Sequence, residues 1–324
     1  MNRNFETLIK QGYKLTDNAD AIVEETLGKL YKQAYETAMR ELVALYVKLG
    51  DKIDLPEAKK YKRLEGVLLS IADEYKKVTG QAIVLTGYNS FQSYQNAFFS
   101  YTWSMENATV DGTALNLAKV DTTWGILPVD AIRASVMSEN SGLKFVKRFD
   151  TSKIVRLADI QSALTRGLAN GHSYRKVAKS IETVFNNGYT DAIRVVQTES
   201  GRCFTEGFLK AHDDAEAMGI KVKKRWVASL DGRTRHDHAV ADGQFADKNG
   251  NFHVGGSKGP GPGLLDGDDA LSQNIRCRCR PIDELEGFPS DMRRVGDEIQ
   301  PYVDFKTWAT PKGWTEGKGW PIKK

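Results

Sequence analysis

Apolar side chains recur at spacings of three and four residues along residues 20–50, the period of an amphipathic α-helix. Residues that favour helix ends frame this stretch: N-cap candidates precede it, and a glycine stands where a C-cap glycine belongs. These end residues are Asp17, Asn18, Asp20 and Gly50. The pattern predicts one long helix whose apolar stripe packs into a protein core.

The same period predicts more helices further along the chain. One begins after Pro56 and ends at Thr79, just before Gly80, and the next covers residues 83–105, whose aromatic side chains are expected to pack inward. Pro128 then stands at the first position of a short helix, where proline is favoured.

Residues 150–170 and 174–185 predict a pair of helices on either side of Gly171, with Ser173 as the cap of the second. Thr190 is expected to cap a further long helix that ends near residue 218. Cys203 lies on the apolar side of that helix and is interpreted as a small buried hydrophobe rather than a reactive thiol.

After Gly219 the pattern changes. Residues 221–231 alternate between apolar and polar, as a β-strand does, and are followed by a turn-rich segment. Residues 247–269 are so dense in glycine and proline that they predict a long surface loop without regular helix or strand. Residues 288–324 hold tryptophan amid lysine with little periodicity, which predicts an extended tail that docks on another surface.

These patterns predict an α+β fold class: a mainly α-helical N-terminal two-thirds, then a small α+β part with a few strands, then an extended C-terminal tail. The 324 residues are enough for two or three domains or for one domain with long extensions. Hydrophobic residues make up 40% and charged residues 27%, which is typical of a globular chain with a sizeable core.

The net charge of +4 does not by itself indicate a nucleic-acid partner, since an evenly solvated charge is the more ordinary reading. The N-terminal segment has no apolar signal core, and no run approaches the roughly 18 apolar residues of a membrane helix. We therefore expect a chain made and kept in a cytosol, or packed into something assembled there.

The stretch NIRCRCRP alternates arginine at positions 276, 278 and 280 with Cys277 and Cys279. In an extended chain this would place three guanidinium groups on one face and two thiols on the other. Three cysteines do not make a disulfide framework, and these two are too close to bridge each other without strain. In a reducing compartment such a pair is either a metal site or a pair of buried thiols.

His236 and His238 are also two residues apart. If both segments are extended and lie side by side, these four side chains would form a tetrahedral zinc ligand set: His236, His238, Cys277 and Cys279. The alternative is two buried thiols beside histidines on a surface turn. The spacing matches no common zinc finger, so the residues alone leave both interpretations open.

Asp231 opens the same segment and is interpreted mainly as a turn-capping residue that binds Thr234 or pairs with Arg233 or Arg235. A histidine-rich loop beside a metal would also suit a nuclease. Paired carboxylates with metal spacing and a Ser/His/Asp arrangement are both missing from the sequence, and prolines in GGSKGPGPG remove the N–H donors that a phosphate loop needs.

Taken together, residues 190–285 resemble the Mu F-type head morphogenesis proteins of tailed bacteriophages, minor head proteins encoded beside the portal. The family pattern runs from Thr-Glu on a helix to a Trp, an Asp-x-Arg-Thr, a His or Cys, an Asp-Gly and a closing Cys-Arg-Cys. The matching residues are Thr198, Glu199, Trp226, Asp231, Arg233, Thr234, His238, Asp242, Gly243, Cys277, Arg278 and Cys279. The Gly-x-Ser at residues 171–173 is similar to the segment that precedes this pattern in the family.

Some members carry Cys-x-x-Cys where this chain has residues 235–238, and a histidine shortly before Cys-Arg-Cys where it has Asn274. That family pattern resembles a zinc site. This chain keeps the closing cysteines and replaces the first pair. The resemblance therefore implies His238 as a ligand, with His236 or Asp231 completing the set.

The resemblance also implies a function. We expect a structural protein of the virion, present in low copy inside the capsid and assembled in the host cytoplasm, with no catalytic residues and no membrane partner before ejection. Its partners would be the portal protein, a scaffold or major capsid protein, and packaged double-stranded DNA, and its roles would extend to DNA packaging or ejection. The expected segments are a helical portal- or scaffold-contacting region 1–125, a helical connector 126–189, the Mu F-type domain 190–287 and the Trp/Lys-rich tail 288–324.

The face made by Arg276, Arg278 and Arg280 could contact DNA, or these arginines could pair with carboxylates inside the domain. Two other functions stay open: a metal-dependent nuclease or toxin-like enzyme, and a DNA-binding accessory protein. Only about 40 residues follow Cys279, fewer than a typical catalytic domain needs, which favours a structural protein over an enzyme.

Overall fold

The computed structural model describes residues 5–49, 63–110, 129–139, 144–285, 292–295 and 298–301. The chain divides into two compact units, each built from separate stretches of sequence. The first unit takes residues 1–20, 89–142 and 197–324, and the second takes residues 21–88 and 143–196. The described residues are mainly helical with a few antiparallel strands towards the C-terminal end, which confirms the predicted α+β class.

Long helices fill the chain up to residue 217. They are α1 (Phe5–Leu49), α2 (Arg63–Val110), α3 (Val129–Met137), α4 (Phe145–Ala169) and α5 (Tyr174–Ala217). None of the helices in the described ranges is both long and apolar enough to cross a membrane.

The predicted break at Gly171 is confirmed. Gly171 has a φ of 61°, a left-handed conformation that glycine adopts without strain. The Ser173 carbonyl then accepts hydrogen bonds from the backbone N–H groups of Lys176 at 3.0 Å and Val177 at 3.2 Å, which starts α5. The short helix predicted after residue 128 is confirmed as α3.

Several predicted helix ends are wrong because the helices continue through them. The proposed N-caps at residues 17–20 lie inside α1, Gly80 lies inside α2, and α4 begins at Phe145 rather than at residue 150. A glycine inside a helix costs about 1 kcal/mol relative to alanine, which the burial of α2 side chains around Gly80 outweighs. Thr190 caps nothing, since its hydroxyl donates to the Asn186 carbonyl within α5 at 2.9 Å. Gly50 and Pro56 lie outside the described residues.

Aromatic rings form the core of the second unit. Tyr75 contacts Tyr31 and Phe185 edge to face, with ring centroids 6.1 and 5.4 Å apart. Gly188 leaves room for these rings, since a Cβ there would lie 2.1 Å from the Tyr75 hydroxyl. The closeness of the rings therefore requires a glycine at this position of α5.

The core of the first unit lies between α1, α2 and α5, where Tyr13, Phe98, Tyr101, Phe204 and Phe208 are all buried. The helix backbones approach closely, because a Cβ on Gly207 would lie 2.3 Å from the carbonyl oxygen of Tyr94.

Cys203 is completely buried in this core, and burial raises its pKa to about 12. The interpretation of Cys203 as a buried hydrophobe is therefore confirmed.

The strands follow α5. The predicted strand after Gly219 is confirmed as β1 (Val222–Val227), which pairs antiparallel with a later strand, Arg280–Leu285. In this register Trp226 lies opposite Pro281 and Lys224 lies opposite Asp283.

The prediction of a loop without strands over residues 247–269 is wrong. Three short antiparallel strands form a sheet there: β2 (Phe252–Val254), β3 (Ser257–Gly259) and β4 (Asp266–Gly267). Gly255 lies in the tight turn between β2 and β3 with a φ of 59°. Phe252 and Val254, on either side of His253, both point into the core. The density of glycine thus reflects tight turns.

Two short helices flank this sheet, α6 (His236–Val240) and α7 (Ala270–Asn274). The strand Arg280–Leu285 is β5, and a further antiparallel pair follows it, β6 (Met292–Val295) with β7 (Glu298–Pro301). The expected extended tail therefore contains a strand pair at its start. Its tryptophan and lysine residues from position 306 onwards lie outside the described residues.

Candidate functional site

A buried cluster in the first unit brings together residues from four elements. Trp226 comes from β1, His238 from α6, Gln273 from α7, and Cys277 and Cys279 from the segment just before β5. The Trp226 ring meets His238 edge to face, with ring centroids 5.6 Å apart. The cluster is therefore an interior site closed to bulk water.

Three predicted ligands meet in this cluster. The Nδ1 atom of His238 lies 3.3 Å from the Cys279 sulfur and 3.4 Å from the Cys277 sulfur. One ligand atom from each of the three residues lies within 4.8 Å of the other two. An imidazole nitrogen facing two sulfurs is a ligand set suited to zinc.

Gln273 fixes which imidazole nitrogen faces the sulfurs. Its amide NH₂ donates to Asp237 and Asp269, both at 2.9 Å, so its carbonyl oxygen points the other way. That oxygen lies 2.9 Å from Nε2 of His238 and accepts its hydrogen. Nδ1 is then the nitrogen with the free lone pair, as a metal-binding histidine requires.

The two cysteines are chemically distinct. The hydrogen bond from Cys279, reinforced by His238, holds the pKa of Cys277 well below its ordinary value. Burial raises the pKa of Cys279 well above its ordinary value. Without a metal the pair would therefore share a proton, with the thiolate on Cys277.

The fourth predicted ligand, His236, lies outside this group. The expectation that both segments are extended is wrong, since residues 236–240 form α6 and β5 begins only at Arg280. Residues two apart project about 200° apart around a helix, whereas in a strand they project to one side. Helix formation therefore turns His236 away from the face that carries His238.

Asp231 is also outside the ligand group, and its side chain caps the turn that it begins. Its carboxylate accepts hydrogen bonds from the Arg233 backbone N–H at 2.9 Å and from both terminal nitrogens of Arg278. The Thr234 hydroxyl accepts the Asp231 backbone N–H at 3.1 Å. The Arg278 hydrogen bonds hold the pKa of Asp231 well below its usual range. The interpretation of Asp231 as a turn-capping residue is confirmed.

The three arginines do not share one face. Arg276 is exposed, with a φ of 52°, while Arg278 is half-buried against Asp231. Arg280 is buried, lies 4.8 Å over the Phe204 ring and pairs with Asp17 at 3.5 Å. The expected basic face is therefore corrected to a single exposed arginine, because two of the three pair inside the domain.

The other residues of the motif hold the fold together. The Thr198 hydroxyl accepts the Arg276 backbone N–H at 3.1 Å, and the Asp242 carboxylate accepts the Ala228 N–H at 2.9 Å. Gly243 has a φ of 83°, a left-handed conformation that glycine adopts without strain.

Glu199 pairs with Arg202 at 2.9 Å, and both side chains are 1% exposed. The Thr198–Arg276 hydrogen bond connects α5 to the segment around the cysteines, whereas the Glu199–Arg202 pair lies within α5. The motif thus encodes packing and turn geometry more than chemistry.

Gln273 is the site residue that sequence reasoning missed. The family pattern points instead to Asn274, but the Asn274 side chain binds the backbone N–H and carbonyl of Leu265, at 3.0 and 2.7 Å. The available signal was weak: a polar residue four positions before Cys277. Only the contact with His238 reveals its role.

Comparison with known proteins finds one family that matches part of this chain. Residues 158–282 match the sequence model of the family described as Phage Mu protein F like protein. This stretch contains every motif residue named above, including the Gly-x-Ser at Gly171. The chain is therefore similar to this family over residues 158–282, which confirms the resemblance.

Two relatives are similar over almost the whole chain. The minor head protein GP7 of Bacillus phage SPP1 is 23% identical over 92% of this chain and 96% of its own length. The NAD(+)--arginine ADP-ribosyltransferase EFV of Enterococcus faecalis is 24% identical over 94% of this chain, which spans 59% of that relative's length. No solved structure matches the chain.

Proposed function

We propose that the protein is a minor head protein that is present in low copy inside the capsid, associates with the portal and supports procapsid assembly. The observation that carries this proposal is the alignment with the minor head protein GP7, which covers 96% of that protein and 92% of this chain. An alignment of that extent involves both structural units and the Mu F-like segment alike.

The burial of the candidate site supports a structural role. His238, Cys277 and Cys279 are 2%, 6% and 3% exposed, so a polymeric substrate could not reach them. A nuclease needs its metal open to a water molecule and to the phosphate backbone. We therefore favour a site that holds the domain together over one that cleaves DNA.

We infer that this site binds a zinc ion. The residues present fit it, because His238 offers Nδ1 as a lone-pair donor and Cys277 has the lowered pKa of a metal-binding thiol. A bound zinc would supply a crosslink between α6 and the segment that leads into β5. Gln273 would orient the histidine, and Trp226 would exclude water.

DNA contact is a smaller part of the proposal. Arg276 is the exposed arginine of the Arg/Cys stretch, and the sequence adds lysines from position 306 onwards. Contacts to phosphate by such side chains would support a role in packaging or ejection and would weaken steeply with salt.

The second relative suggests an enzyme as the alternative function. Its name describes an ADP-ribosyltransferase, but the chain spans only 59% of its length, while the chain spans 96% of the minor head protein. Both alignments involve nearly all of this chain, over 313 residues with the transferase and 315 residues with the minor head protein. We infer that the transferase activity belongs to the part of the relative that this chain does not match.

Coexpression with the portal protein of the same phage tests the proposal. A tagged chain should copurify with the portal oligomer on gel filtration, and an unrelated ring-shaped oligomer serves as the control bait. In parallel, the purified chain with labelled NAD⁺ and polyarginine should transfer no label. A chain that ignores the portal and labels polyarginine would replace the structural proposal with the enzymatic one.

A further inference from the structure

A second group of candidate ligands lies near the end of α5 and shares no residue with the cysteine site. One ligand atom from each of His212, Asp213 and Glu216 lies within 4.8 Å of the other two. The His212 ring is 5% exposed, whereas both carboxylates are exposed. The three residues border a cavity of about 440 Å³, whose wall also includes Lys223, Lys224, Asp247 and Asn249.

The imidazole is anchored from behind by a buried carboxylate. Nδ1 of His212 lies 2.6 Å from Oδ2 of Asp283, a residue that is 1% exposed. The same oxygen accepts the hydroxyl hydrogen of Tyr101, and the Phe208 ring stacks on the imidazole. Because a carboxylate oxygen accepts hydrogen bonds, Nδ1 carries the hydrogen and Nε2 is left to act as a ligand.

The outer nitrogen faces negative charge. Nε2 of His212 lies 3.6 Å from Oε1 of Glu216, which is longer than a hydrogen bond, and the Asp213 carboxylate stands beside them. A lone-pair nitrogen and two carboxylates that face one another repel unless a cation joins them. A buried carboxylate behind a histidine is also the arrangement that orients metal-binding histidines.

Lys224 carries an ammonium group near these carboxylates, which could compete with a metal ion for them. Lys224 lies opposite Asp283 in the β1–β5 pair, and its Nζ is 3.5 Å from the Pro260 carbonyl oxygen. The ammonium is thus directed partly towards the Pro260 carbonyl oxygen.

We propose that His212, Asp213 and Glu216 bind a divalent metal ion of the kind that takes nitrogen and carboxylate ligands, such as Mn²⁺. The ion would fasten the end of α5 to β5 through the His212–Asp283 contact. This site is separate from the cysteine site in both position and chemistry, because it has no sulfur ligand.

Titration with Mn²⁺, followed by the electron paramagnetic resonance signal of the free ion, tests the proposal. We expect one ion per chain in the parent protein. Glu216→Gln and Asp213→Asn should each weaken binding by at least about tenfold. Both residues are exposed, so neither change should harm folding. Glu182→Gln, which removes a surface carboxylate in the second unit, is the matched control and should bind like the parent.

Two further measurements separate this site from the cysteine site. A double change of Cys277 and Cys279 to serine should leave Mn²⁺ binding unaltered, and Co²⁺ bound in that variant should show no thiolate charge-transfer absorption. Equal Mn²⁺ affinity in the parent, Glu216→Gln and Asp213→Asn proteins would overturn the proposal, as would Mn²⁺ that stays free at millimolar concentration. The His212–Glu216 contact would then be held by a proton alone.

Discussion

Replacing Arg202 with methionine would remove a guanidinium group from the interior of the first unit. Arg202 donates through Nε to Glu199 at 2.9 Å, and through Nη1 to Glu206 at 2.9 Å and to Ser138 at 2.6 Å. Its Nη2 donates to the Ser135 carbonyl at 2.9 Å. Methionine keeps the apolar stem of the side chain but supplies none of these donors.

The expected loss follows from burial. The Glu199 side chain is 1% exposed, so Arg202→Met leaves its carboxylate in the interior without the guanidinium. Removing one partner of a buried ion pair costs about 3–5 kcal/mol. Adding Glu199→Gln removes the buried charge as well. The double variant should therefore recover part of that loss, with a coupling free energy of about 1–3 kcal/mol.

Hydrogen exchange of residues 197–208, measured by mass spectrometry, reports the opening free energy of this part of α5. The matched control is Lys179→Met, which breaks an exposed pair with Glu182 at the same three-residue spacing and 2.8 Å. That change should cost less than about 1 kcal/mol.

Equal losses in Arg202→Met and Lys179→Met would refute the reasoning. The Thr-Glu element of the motif would then have to be explained by a role other than internal pairing.

Three further predictions rest on other contacts. Gly207→Ala should destabilise the protein by more than about 1 kcal/mol, because the new methyl group would lie 2.3 Å from the Tyr94 carbonyl oxygen. Gly80→Ala should stabilise the protein slightly, because its methyl group would have no atom within 4 Å. Urea unfolding of both variants checks the difference in sign. Burial raises the pKa of Asp20 to about 6, so its ionised form destabilises the folded state at neutral pH. Asp20→Asn should therefore raise the unfolding free energy at pH 7 by on the order of 2 kcal/mol. This gain should vanish below about pH 3, where the aspartate is protonated in both the folded and the unfolded state. An equal gain at pH 7 and at about pH 3 would contradict the burial argument. Changing both Cys277 and Cys279 to serine should abolish the thiolate-to-Co²⁺ absorption of the cysteine site and lower the melting temperature. Cys203→Ser should leave the absorption in place, and unchanged spectra in the double variant would argue against the zinc proposal.

Local signals in the sequence predicted most of the regular structure. The apolar period predicted the helices, and the alternation after Gly219 predicted β1. Helix ends were the weak part, because a cap residue such as Asp20 or Thr190 can sit inside a helix when the surrounding side chains are buried. Tertiary packing outweighs local preference at such positions.

The candidate site was predicted in part. Cys277, Cys279 and His238 meet as expected, since the family pattern constrains all three. His236 does not join them, because residues 236–240 form the helix α6. A segment of five residues is too short for its sequence pattern to show that it is helical. Gln273 and the His212–Asp283 contact depend on residues 35 and 71 positions apart in the chain, and a single sequence carries no signal for such pairs.

Peptide mass spectrometry of purified phage particles and procapsids from producing cells tests the account most directly. The account predicts that this chain is present in both, at a few copies for each portal and far below the major capsid protein. Its absence from procapsids and mature particles alike would contradict the claim that it works as a head protein.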